Sequence, residues 1–277
     1  MVLAVAALLS LPAVLGFVLG WYGLDPQQAA ALSSVGSDAH ELLDSFPDDN
    51  LVVEVDYQSS AGPPPSSAVS ILEQRINETC SKSSVSVVEY PFSSSATQFS
   101  EGDLLGLEDS VQHTWSTWGT VVVDYLYLNG GDANNPAIIG LAYRGASIAV
   151  FAATIASGAP SDTTAVTTTV MVHEFGHELG LVGIVGSAPN EDPNHPYHSN
   201  DSNDVMYWAI DSTALFGGIL GGSGPPNQFD AADLADLNTV RSTVIPVEVL
   251  PWAALGASLI GAALVAWIGA RRRVRSE

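Results

Sequence analysis

Residues 162–183, DTTAVTTTVMVHEFGHELGLVG, decide the fold. Asp162 after Pro160-Ser161 supplies an N-cap. The threonines are indifferent helix formers, so tertiary packing must hold the helix that the spacing predicts. Gly180, three residues past His177, offers the left-handed turn at which such a helix ends. Positions four apart share one helix face, so His173 and His177 can reach a single ion. Glu174 follows the first imidazole and can face the open side of that ion. There it can take a proton from water that zinc has acidified. Two imidazoles are too few, because catalytic zinc takes three protein ligands and a water.

The 277 residues around this segment hold 30 acidic and 8 basic side chains, a formal net charge of −22. From Leu24 to Leu250 four basic residues face 29 acids. Phosphates would be repelled, which excludes a nucleic-acid partner. A hydrophobic fraction of 47% excludes a disordered acidic chain. The single cysteine, Cys80, excludes a disulfide framework and a multi-cysteine zinc site. Such acidity reads as a halophilic proteome, in which salt screens the repulsion among carboxylates. Cation binding by a local acid cluster is the less favoured reading, since the acids are spread along the chain.

Both ends are apolar. Residues 1–23 are uncharged and long enough to cross a bilayer, read as a transmembrane helix or signal anchor. Residues 249–270 read as a second such helix, and the basic tail 271–277 would stay cytoplasmic. Membrane lipid is then a partner, with residues 49–245 an extracytoplasmic domain behind a 24–48 linker. Strands are expected at 51–57, 84–91 and 120–129, with helices at 67–78 and 102–112. Residues 138–155 read as two strands about a turn at Gly145. A closing helix over 228–241 would turn Phe229, Leu234 and Leu237 inward. The class is α/β (α+β), with a mixed twisted sheet and flanking transmembrane helices.

His173-Glu174-x-x-His177-x-x-Gly180 resembles the start of the metzincin metallopeptidase pattern, which places its third ligand where this chain has Gly183. In archaemetzincins the third histidine is followed by cysteine, cysteine and methionine. His198, Ser199, Asp204 and Met206 match those offsets, with serine and aspartate at the cysteine places and 15 residues (184–198) inserted ahead. A loop of that length can fold back cheaply. The resemblance implies zinc on His173, His177 and His198, with Met206 in a turn beneath the metal. His195 is the alternative third ligand. It also implies a peptide or protein substrate lying along the strand before the active helix, at Ser147, Ile148 and Ala149. Among the loop acids, Asp192, Asp201 and Asp204 offer oxygens for a structural Ca²⁺. The expected function is a membrane-anchored zinc endopeptidase acting outside the cell. The alternative is a non-catalytic surface protein with a structural metal site. His40 and His113 are most simply solvated, and Glu178 points away from the metal.

Overall fold

The alternation of Leu51, Val53 and Val55 with Val52, Glu54 and Asp56 gives strand β1, Asn50–Gln58, two different faces. The computed structural model describes residues 34–213 and 225–243. The chain enters through α1 (Ala39–Leu43), crosses β1, and continues into α2 (Ser66–Thr79), β2 (Ser84–Phe92), β3 (Gln98–Phe99) and α3 (Glu101–Val111). Then come β4 (Thr120–Leu128), β5 (Gly131–Asp132), β6 (Gly140–Arg144), β7 (Ser147–Phe151), α4 (Ala152–Gly158) and α5 (Thr163–Glu178). The short hairpin β8 (Glu191–Asp192) and β9 (His195–Ser199) precedes α6 (Ala231–Ser242).

The main sheet has the order β2-β1-β4-β7-β6. Its pairs are parallel except β6–β7, so β6 is an antiparallel edge strand. On one face α2 and α5 pack together, and the Tyr125 hydroxyl donates to the Met171 carbonyl of α5 at 2.9 Å. The opposite face is covered by α3, with Leu104 against Leu126, Leu128, Ala149 and Phe151. Helix α3 begins in a capping box, Ser100 and Asp103 satisfying each other's exposed amides.

Several expectations need correction. Among the described residues no helix is long and apolar enough to cross a membrane. Segments 1–23 and 249–270, read as transmembrane helices, lie outside the described residues. The fold class that stands is the mixed α/β domain without them. Residues 34–48 are more than a linker: Ala39, Leu42 and Leu43 are fully buried. Residues 152–158 are helical, because the chain turns off the sheet after Phe151. Phe229, just ahead of α6, and Leu237 on it point inward, but Leu234 is exposed.

Candidate metal centre

Helix α5 is buried from Val166 to Glu178, so packing on the sheet and α2 supplies what threonine propensity does not. It ends in a Schellman turn. The Leu181 amide donates to the Gly176 carbonyl and the Gly180 amide to the His177 carbonyl, with Gly180 at φ +79°. The chain then leaves the helix axis, and Gly183, also at positive φ, stands against the Glu191 carboxylate.

The inserted loop returns by the β8–β9 hairpin. Glu191 pairs with Ser199, and the Glu191 carboxylate accepts from the Tyr197 amide. Next to His198, the Ser199 amide donates to the Met206 carbonyl at 2.7 Å. One residue back from Met206, the Val205 carbonyl lies 2.7 Å from His173 Nδ1. A carbonyl only accepts, so Nδ1 carries the proton and Nε2 keeps its lone pair. The turn Asp204–Tyr207 thus orients one helical imidazole and anchors the strand that carries another.

Three imidazoles converge here. His173 Nε2 and His177 Nε2 are 3.0 Å apart. The His198 ring lies 5.3 Å from that of His173 and 4.9 Å from that of His177, centroid to centroid. One nitrogen from each residue lies within 4.8 Å of the others. His198 Nδ1 is held by the Pro196 carbonyl at 2.9 Å, while its buried Nε2 has no hydrogen-bond partner. Burial, followed by the nearby His198 ring, pushes His173 down to about 3. Burial and then the neighbouring rings push His177 well below the usual imidazole range. Three imidazole nitrogens converging on one point fit zinc, whose bonds to histidine nitrogen are about 2.0–2.1 Å.

His195 is elsewhere. Its ring stacks on Trp208 at 4.1 Å and 6°, and its Nδ1 faces Asp192 at 3.2 Å. Asp192, Asp201 and Asp204 do not come together as one oxygen cage for Ca²⁺; Asp204 lies instead with Asp230 and Asp233. Asp192 caps the hairpin turn, Asp201 holds the Asn203 amide, and Asp204 is buried under the Met206 amide.

Glu174 is buried between the histidines and β6. Its Oε2 accepts from the Ala142 amide at 2.8 Å, and its Oε1 has no partner. Burial, then the charge of Asp211, pushes its carboxyl well above the usual range. An added Cβ on Gly140 would stand 2.4 Å from Glu174 Oε1, so this glycine makes room for the carboxylate. A cleft of about 550 Å³ opens here, bounded by Ile138, Gly140, Glu174, His177, Tyr197 and Asp211. Asp211, unremarked in the sequence, brings its Oδ2 to 3.6 Å from His198 Nε2. Glu178 turns away from the site and accepts from the Ala146 amide, pinning the β6–β7 turn to the helix.

Ser147, Ile148 and Ala149, expected at the substrate edge, are buried on β7 between β4 and β6. The hairpin through Gly145 places β6 outside them, and β6 is the strand facing the cleft.

No family model and no curated protein matches this sequence. Solved structures similar to it include archaemetzincin from Methanopyrus kandleri, with a TM-score of 0.47 and 16% identity over 71% of this chain and 97% of that one. Metalloproteinase-II from Bacteroides fragilis is similar with a TM-score of 0.40 and 12% identity, over 81% of this chain and 61% of that one. In this chain the helical histidine pair, the downstream third histidine and the buried methionine turn come together in one centre.

Proposed function

We propose that this chain is a zinc-dependent endopeptidase, with zinc on His173, His177 and His198. The observation that carries the reading is the convergence of three imidazoles beside a buried carboxylate, in a cleft bordered by a sheet edge. When bound, zinc supplies Lewis acidity toward a substrate carbonyl and toward water.

Glu174 is the general base. It takes a proton from the attacking water and delivers it to the leaving amine as the peptide bond breaks. The low-polarity surroundings that raise its proton affinity suit both transfers. The Ala142 amide keeps the carboxylate aimed into the cleft. Residues 137–139 of the approach to β6 are tied to 211–213 by Ile139 to Asp211 and Thr213 to Ala137 bonds. Beyond them, Leu141 to Tyr143 of β6 have no strand on their outer side among the described residues. An extended peptide can add there by main-chain hydrogen bonds, which favours endopeptidase action on unfolded stretches.

The test is Glu174→Gln, assayed on an unstructured protein substrate together with zinc content. Zinc should stay at about one per chain while hydrolysis drops by at least about a hundredfold, the usual worth of a general base. Hydrolysis at the wild-type rate would overturn the mechanism.

A further inference from the structure

The sheet face turned away from α5 holds a second set of ligating side chains. Glu54 and Asp56 are two residues apart on β1 and so share this face; neither exposes any surface. Asp124, the register partner of Glu54 on β4, joins them and is also buried. Glu108 descends from α3 onto the same face, but it is fully engaged. The Tyr143 hydroxyl, the Arg144 guanidinium and the Ser147 hydroxyl all donate to it, at 2.6, 2.6 and 2.8 Å. Arg144 is thereby committed to Glu108.

Nothing comparable serves the β1 pair. The His113 amide donates to Glu54 Oε1, but Glu54 Oε2 and both Asp56 oxygens are buried without a hydrogen-bond partner. The His113 imidazole completes the group. Its Nδ1 is 3.5 Å from Glu54 Oε1 and 3.5 Å from Asp56 Oδ1. The ring is fixed by stacking on Tyr90, at 4.1 Å and 25°, and Tyr90 is the strand neighbour of Asp56. One ligand atom from each of the three lies within 4.8 Å of the others.

Two adjacent buried carboxylates with three of their four oxygens lacking a donor are unfavourable unless a cation or a shared proton joins them. We propose that Glu54, Asp56 and His113 form a second cation site, for a divalent ion of the Mn²⁺ type. The donor set argues for that class. Carboxylate oxygens suit hard ions, and one imidazole shifts the preference toward the first-row metals. His113 is half exposed, which gives the ion a route from solvent and leaves coordination positions for water. The ion would clamp the segment after α3 to β1, on the opposite side of the sheet from the three histidines. Burial, followed by the Glu54 charge, holds the Asp56 carboxyl at about 8 without an ion.

The experiment is a Mn²⁺ titration of the zinc-loaded protein, followed by the electron paramagnetic resonance signal of free Mn²⁺. Wild type should take up one Mn²⁺ per chain beside its zinc. His198→Ala, which disturbs only the first centre, should take it up at the β1 site with unchanged affinity, which separates this proposal from the peptidase reading. Asp56→Asn and His113→Ala should each weaken uptake at least about tenfold. His113 is a surface residue, so its variant tests the site even if Asp56→Asn folds poorly. No saturable Mn²⁺ in the wild type, or equal uptake in His113→Ala, overturns the proposal. A wild type that binds none, with Asp56→Asn melting higher, would show instead that the pair is kept protonated.

Discussion

Gly176 lies so close to Met206 that a Cβ added to the glycine would stand 2.3 Å from the Met206 sulfur and 3.0 Å from the Phe229 ring. The absent side chain on the active helix is the space that the methionine turn fills. Because Val205 in the same turn accepts from His173, the fit of residue 176 bears on ligand orientation as well as on stability.

Gly176→Ala is therefore expected to lower stability despite alanine's preference for helix. The helical gain is about 1 kcal/mol. Overpacking a rigid core costs roughly 1–3 kcal/mol, and here both neighbours are themselves buried. A net loss of up to about 2 kcal/mol should appear as a melting temperature lower by up to several degrees. Zinc affinity should fall as well, because the turn that accepts from His173 is displaced. A variant that melts above wild type would refute the fit.

Gly140→Ala probes the other side of the centre. Its new methyl would collide with Glu174 Oε1, and with Val170 at 2.5 Å. Glu174 must swing away, while the three histidines are untouched. Zinc content should therefore hold while kcat falls on the order of a hundredfold, the size expected when a catalytic group is misplaced by about 1 Å. A drop in zinc content parallel to activity would place the damage at the ligands instead.

The two loop histidines should separate cleanly. His198→Ala removes one of three converging nitrogens, so dialysed protein should hold well under one zinc per chain. His195→Ala removes a ring stacked on Trp208 and should leave zinc content unchanged. Metal analysis of the two variants side by side decides between them.

Much of this arrangement was legible in residues 162–183, because helical spacing and imidazole chemistry are local. His198 was legible only through its offset to Met206, since a loop that folds back leaves no periodic trace. The β7 residues Ser147, Ile148 and Ala149 were placed at the edge because sequence order does not say on which side a hairpin partner will lie. The alternation that marks β1 as a strand sets Glu54 and Asp56 on one face without saying what covers it. Sequence periodicity reports that two faces differ, not that α3 will cover the acidic one. For the same reason Asp204 read as one more loop acid, although it is 1% exposed.

Asp204 and Asp233 contribute to the pH response of the fold. They are buried side by side, Asp233 at the capping box of α6 and Asp204 under the Met206 amide. Burial first, then the hydrogen bond with Asp204, pushes Asp233 up to about 9. For a carboxyl raised above its unfolded value of about 3.9, the folded state binds the proton more tightly. Its contribution is therefore complete below about pH 4 and is lost as the pH rises toward 9. One such proton makes stability fall by at most about 1.4 kcal/mol per pH unit across that window. Asp233→Asn keeps a side-chain oxygen for the Asp230 amide but has no proton to lose. Denaturant melts of wild type and variant from pH 5 to pH 9 should converge at the acid end, with the variant the more stable at the alkaline end. Parallel curves across the range would mean that the two carboxylates share no proton.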